Sequence, residues 1–423
     1  MFESLMKYNT WAGEEIPCGF FRDLYFDQIN PMMGNKLVKV ILGQRRSGKS
    51  FVLRMIMKHL IDSGISARNI LYINKEFEEL KEINNSESLL NAVKIYRENI
   101  NPVGKVYLFL DEVQEINGWE KAVNSFSQDY VTEYEVFISG SNAHMLSGEL
   151  ATYLSGRYIT VNVFPFSFTE FCESSGVGIN KNSYLEYMKT GGIPEILFLK
   201  DHETRLNYIR ALKDSIILRD VVTRYSVRDT YLLDRIVSFI TDSVGSFVSV
   251  NSISNYMTSN GYKTNSETVG NYIKYLKDAF FIHESEKYDI KGKKILTGEK
   301  KYYINDNGFK SFFHSSFDPA AGKYLENIIY ISLIRKGYKV FTGQISGSEI
   351  DFIADKNGEK IYVQAAYLLA DEVVIEREFG NLEKISDNFQ KYVVSLDEMS
   401  FGNRNGIKHF TAWEFEKMLE SKK

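Results

Sequence analysis

Two cysteines in 423 residues, Cys18 and Cys172, supply neither a disulfide framework nor a metal-ligand spacing, and they read as reduced thiols. Long apolar runs are missing too. No stretch is long enough to span a bilayer, and Met1 to Thr10 has no signal-peptide core. A cytoplasmic protein with no membrane partner is expected. Neither sign of charge dominates: the net charge is −4, so a nucleic-acid surface would have to be a local patch. There is no internal repeat and no low-complexity tract. What is present is a globular composition, 44% hydrophobic, in a chain long enough for two or three domains. The 27 tyrosines and 29 phenylalanines are scattered through apolar patterns and read as core.

One stretch organises the rest. Val38 to Leu42 is a β-branched and aliphatic run. Gly43-Gln44-Arg45-Arg46-Ser47-Gly48-Lys49-Ser50 follows, and an apolar helical pattern runs from Phe51 to Leu60. Strand, G-x-x-x-x-G-K-S and helix make a phosphate-binding P-loop in its proper context. Gly43 and Gly48 let backbone N–H groups turn inward toward phosphate oxygens, and the helix adds its N-terminal dipole. Lys49 is expected to bridge the β- and γ-phosphates and the Ser50 hydroxyl to ligate Mg²⁺. Arg45 and Arg46 are open between contacting nucleotide and binding an acidic partner.

A second anchor is Val106 to Leu110 followed by Asp111-Glu112, an apolar strand ending in two acids. In the form of a Walker B motif, Asp111 completes the Mg²⁺ site and Glu112 polarises the attacking water as general base. Asn74-Lys75-Glu76-Phe77 approaches the guanine-reading N-K-x-D, but Phe77 replaces the carboxylate, which favours ATP. Val136 to Ile138 is a further strand, ending in Ser139-Gly140-Ser141-Asn142. Asn142 or Ser141 there would face the same site and sense the γ-phosphate, or serve only as a turn or helix cap. Arg157, before the strand Val161 to Phe164, is a candidate for charge stabilisation in phosphoryl transfer, in cis or in trans, or a surface ion pair. The strand–helix alternation predicts a parallel α/β sheet with helices on both faces and a strand added between P-loop and Walker B.

These motifs resemble the AAA-type ATP-binding proteins of bacteria and archaea that carry a C-terminal domain of unknown function. The resemblance rests on the P-loop, Leu108 to Gln114, Gly118-Trp119-Glu120, Ser139 to Asn142, Met145 to Leu150, Leu154 to Tyr158 and Phe164 to Phe171. It implies ATP binding and hydrolysis, and says little about what hydrolysis drives.

Residues 1–164 are then the ATPase core and 165–228 a helical lid or linker. Within the latter, Leu218 to Tyr225 reads as an amphipathic helix whose Arg219 and Arg224 either reach nucleotide in trans or form a solvated face. Residues 229–315 have the pattern of a winged helix, with helices at 232–244, 252–259 and 266–278, and a basic hairpin tip at Lys291-Gly292-Lys293-Lys294. Asn271, Lys274 and Lys277, with the tip lysines, could contact double-stranded DNA. Glu267, Asp278 and the acidic balance argue for a protein-contact module instead.

Residues 316–423 resemble a restriction-endonuclease-like core. Glu326, Asp351 and Gln364 fall at its acidic positions, but Ala366 stands where its lysine belongs, so a degenerate site is expected unless Lys360 or Lys323 substitutes. The leading expectation is an Mg²⁺-dependent ATPase. The alternatives are a nucleotide-switched DNA- or protein-binding regulator with negligible turnover, and a DNA-processing nuclease. A protein client and an oligomer are both compatible with the sequence.

Overall fold

The computed structural model describes residues 1–146, 153–154, 156–311 and 321–421. Ser147 to Leu150 and Ser155 of the motifs above, and the expected boundary at 315/316, lie outside the described residues. The chain divides into two compact units, Met1–Val163 and Phe164–Lys423.

The first unit is built on five strands: β1 (Val38–Leu42), β2 (Ile70–Asn74), β3 (Val106–Asp111), β4 (Tyr134–Gly140) and β5 (Tyr158–Asn162). They lie side by side in the order β2-β3-β4-β1-β5, and every pair is parallel. Residues of β1 to β4 are buried throughout. That is why they read as continuous apolar runs rather than alternating ones: a parallel sheet is covered on both faces. Strand β4 separates β1 from β3, the added strand expected between the two motifs.

Helices α1 (Phe2–Tyr8), α2 (Asp23–Ile29), α3 (Lys49–Asp62), α4 (Ser86–Ile100) and α5 (Trp119–Gln128) flank the sheet. The edge of β2 is blunted by the chain's own start. Asn9 accepts from Tyr72 N–H at 2.7 Å and donates to Tyr72 C=O at 3.0 Å, and the Trp11 indole donates to Ile70 C=O at 2.7 Å. Inside the sheet, Lys39 and Glu135 form a buried ion pair at 2.7 Å, with Lys105 on the second Glu135 oxygen at 2.9 Å.

In the second unit, helices α6 (Phe168–Ser175), α7 (Lys181–Thr190) and α8 (His202–Ser215) come first. The helix expected from Leu218 is a π-helical continuation, Ile216–Thr223, with Arg219 exposed. Next come α9 (Thr230–Asp242), β6 (Phe247–Val248), α10 (Val250–Ser259), α11 (Ser266–Asp278), β7 (Ile282–Asp289) and β8 (Lys294–Ile304). The short helix α12 (Gly308–Ser311) precedes α13 (Ala321–Arg335), β9 (Lys339–Ile345), β10 (Ser348–Lys356) and β11 (Glu359–Ala366). The unit closes with α14 (Glu372–Glu383), β12 (Gln390–Ser395), β13 (Asn403–Arg404), β14 (Ile407–Thr411) and α15 (Ala412–Ser421).

One mixed sheet of nine strands, β13-β14-β12-β11-β10-β9-β7-β8-β6, runs through this unit. Strands on both sides of the expected 315/316 boundary belong to it, joined by parallel pairing of β7 with β9. No helix among the described residues is long and apolar enough to cross a membrane.

Candidate functional site

The P-loop joins β1 to α3, and its conformation depends on its glycines. Gly43 (φ +155°) has no room for a side chain, because a Cβ there would lie 2.1 Å from Val163 C=O. Gly48 (φ +97°) caps α3 in the left-handed region, which a residue with a Cβ adopts only under strain. Ser47 Oγ is buried and has no partner among the described residues. A backbone too tight for a Cβ and an orphaned buried hydroxyl fit a phosphate cradle, whose ligand supplies what the protein withholds. The loop is also braced from outside: the buried Arg22 guanidinium donates to Ser47 C=O at 2.9 Å.

Lys49 leans back over the loop, donating to Gln44 C=O at 3.2 Å and facing Glu112 Oε1 at 3.4 Å. Both side chains are buried. Burial alone would raise the Glu112 carboxyl, but Lys49 and Arg45 outweigh it and hold the group below its ordinary value. Glu112 also sits at φ +55°, an uncommon conformation for a residue with a Cβ. Its N–H donates to Ser139 Oγ at 3.0 Å, and Gln114 Nε2 donates to its second carboxylate oxygen.

Asp111 is fully buried. Tyr72 donates to its Oδ2 at 2.7 Å and Asn74 at 3.1 Å, while Ser139 donates to Oδ1. Ser50 hydrogen-bonds it as well. Burial, with the adjacent Glu112 charge, pushes the Asp111 carboxyl up, against those hydrogen bonds. Lys49, Ser50, Asp111 and Glu112 thus converge where β1 and β3 end, the end at which open parallel sheets take ligands.

The other expected residues are placed differently. Asn142 is buried after β4, and its Oδ1 accepts from His144 N–H at 2.8 Å, the cap-like use. Arg45 pairs with Glu76 at 3.1 Å, and Arg46 (φ +66°) is exposed. Asn74 is engaged with Asp111, Lys75 donates to Leu80 C=O at 2.6 Å, and Phe77 stacks on Tyr8, so structural contacts account for the N-K-x-F string.

Arg157 is not brought to the site. It precedes β5 and its C=O accepts from Val38 N–H at 3.0 Å, so it lies at the start of β1, the opposite end of the sheet from the P-loop. Its guanidinium meets the Gln128 side-chain amide. Tyr72, Asn74, Ser139 and Gln114 were not anticipated as supports of the two acids. The available signal was polar side chains at the carboxyl ends of apolar strands.

An AAA-domain model matches residues 35–172, and a domain of unknown function (DUF8612) matches 181–316. An uncharacterized protein of Haemophilus influenzae is 35% identical over 378 residues, covering 88% of this chain and 92% of that one. The chain belongs to this AAA-domain family. Another relative, uncharacterized protein MJ1544 of Methanocaldococcus jannaschii, is 29% identical over 90% of this chain and 86% of its own length. Among solved structures, the Walker-type ATPase PABY2304 of Pyrococcus abyssi aligns at 15% identity with a TM-score of 0.43, over 69% of this chain and 95% of that one. By the family model and the sheet order, the chain has the fold of an AAA-type P-loop ATPase, followed by a region matched by a domain of unknown function.

In the second unit, the nuclease-like trio comes together. Asp351 N–H donates to Gln364 Oε1 at 3.3 Å, and Asp351 and Glu326 are close enough for their charges to interact. Burial and Glu326 push the Asp351 carboxyl up. Glu326 goes the other way, because Lys301 and Lys323 outweigh its burial. Ala366 is packed in an apolar cluster with Ile345, Ile350 and Leu369. Lys360 lies elsewhere, 4.0 Å from Asp355.

Proposed function

We propose that this protein binds ATP with Mg²⁺ at the P-loop and hydrolyses it to ADP and phosphate, its nucleotide state controlling the C-terminal region. The supporting observation is the convergence of Lys49, Ser50, Asp111 and Glu112 beside a loop that excludes a Cβ at Gly43. Backbone N–H groups from Gln44 to Ser50 and the Lys49 ammonium would hold the phosphates. Ser50 and Asp111 would hold Mg²⁺, which supplies charge neutralisation at the phosphoryl group. Glu112 would accept a proton from water, with Gln114 and Ser139 fixing its position. Asn142 would sense the γ-phosphate only through its amide nitrogen, since its oxygen caps the following turn. Arg157 could act only on nucleotide held by another copy. The absence of the guanine-reading carboxylate at Phe77 favours adenine, and a cytoplasmic setting goes with this reading. Binding of ATP with and without Mg²⁺, in the wild type and Ser50→Ala, tests the metal assignment: equal Mg²⁺ dependence in the two would remove Ser50 from it.

A second reading adds double-stranded DNA. Helix, short strand, two helices and a hairpin, from α9 to β8, follow the order of a winged helix, and Lys291, Lys293 and Lys294 are exposed at its tip. Asn271 and Lys274 of α11 are also exposed, whereas Lys277 is neutralised by Glu284 at 2.5 Å. ATP turnover with and without duplex DNA over a salt series decides this: stimulation that fades with salt supports the DNA role, and none at any salt sinks it.

A further inference from the structure

The nuclease-like cluster contains a lysine that its sequence pattern did not offer. Lys301 comes from β8, outside the three elements that carry the acids and the glutamine. Its Nζ lies 2.8 Å from Glu326 Oε1 on α13, 2.5 Å from Glu349 Oε1 and 4.0 Å from Asp351 Oδ1, both on β10. Its side chain is 2% exposed, less than that of any acid it meets. Tyr303, two residues along β8, donates to the same Glu326 oxygen at 2.8 Å. Lys323 takes the other Glu326 oxygen at 3.0 Å and also donates to Gly245 C=O at 2.6 Å. The Ala365 N–H donates to Asp351 Oδ2 at 2.8 Å.

We propose that the Lys301 ammonium is the resident cation of this cluster, standing in the place of a divalent ion and locking the hairpin strand β8 to α13 and β10. The charge count supports it: the carboxylates of Glu326 and Glu349 face the ammonium groups of Lys301 and Lys323, burial and Glu326 push the Asp351 carboxyl toward its neutral form, and both oxygens of Glu326 are already taken. A hard divalent ion needs about six oxygen ligands at roughly 2.0–2.6 Å. Here it would have to displace a buried ammonium and bear the repulsion of a second one on the same carboxylate. No group of three or more His, Cys, Asp or Glu side chains among the described residues is arranged to hold a metal. Lys301 does not restore the missing nuclease lysine, because that lysine orients water beside a metal, whereas this one spends its donors on the acids themselves. The lock is metal-independent. It also explains why the hairpin and the C-terminal segment share one sheet: the Lys301 ammonium and the Glu326 carboxylate come from separate stretches of chain, are buried together, and each holds the other ionised.

The full chain is titrated with Mn²⁺ alone, free Mn²⁺ being followed by electron paramagnetic resonance, in the wild type and Asp351→Asn. Equal binding in the two is expected, any contribution from the P-loop being common to both. Binding in the wild type that Asp351→Asn removes would overturn the proposal. Lys301→Ala should lower the thermal midpoint by roughly 10 °C and gain a Mn²⁺ site that Asp351→Asn abolishes. A folded Lys301→Ala with the wild-type midpoint would equally overturn it. The wild-type comparison decides whether or not Lys301→Ala folds.

Discussion

Lys49 and Glu112 face each other across the P-loop, Nζ to Oε1 at 3.4 Å, with both side chains buried. On the proposed reading, the cation that would hold phosphate and the base that would take a proton from water are therefore aimed at one point. Lys49 also holds the Glu112 carboxyl ionised against its burial, which a general base requires at neutral pH.

Lys49→Ala removes the proposed phosphate ligand and leaves Glu112 buried without its main cationic partner. ATP binding should be lost, and the thermal midpoint of the nucleotide-free protein should fall as well. Calorimetric titration with ATP checks the first expectation, and unchanged affinity would take Lys49 out of the site.

Arg157→Ala should leave ATP affinity unaltered and, at protein concentrations too low for self-association, leave turnover within about twofold. A guanidinium acting in cis would cost about 10³–10⁵ in rate. A loss of that size in dilute enzyme would contradict the placement of Arg157 at the far end of the sheet.

Glu135→Ala strands the buried Lys39 ammonium, which burial already pushes down despite its partner. Breaking such a pair costs about 3–5 kcal/mol. Denaturant unfolding of the first unit should show it, and a change below about 1 kcal/mol, the range of a surface pair, would show that the pair is solvated.

Histidine 283 supplies a pH dependence. Burial, with Lys277 nearby, holds its pKa at about 4 although Asn305 hydrogen-bonds the ring. As pH falls from 6.5 toward 4, the unfolded chain takes up a proton here and the native chain does not, so stability declines across that window, by at most roughly 3 kcal/mol. Asp306 (about 6) and Glu416 (about 7) are raised by burial and act in the opposite sense. The comparison is therefore with His283→Gln: the wild type should lose stability relative to it between pH 6.5 and 4, and parallel profiles would refute the assignment.

The first unit was legible because its chemistry is local. Strand, loop and helix are contiguous around Gly43 and Gly48, and Asp111-Glu112 directly ends a buried strand. The position of Arg157 was legible in principle, since a residue that precedes a strand in a parallel sheet lies at the end away from the P-loop. What could not be read was pairing between distant segments. Asn74 meets Asp111 because β2 and β3 share a register, and it resembled a base-reading residue only as a string. Nothing in the sequence around Lys301 marks it out, and only the course of β8 places it against Glu326, 25 residues further along the chain. The π-helical turn at Ile216–Thr223 has the same apolar spacing as an α-helix over so short a run.

The central measurement is steady-state phosphate release from Mg²⁺-ATP by the full chain, in the wild type and Glu112→Gln, with ATP binding followed in parallel. The wild type should turn over, and Glu112→Gln should bind ATP with similar affinity while losing about 10²–10⁴ in rate. Equal release by the two proteins, or none by the wild type under any nucleotide and metal condition, would contradict the account.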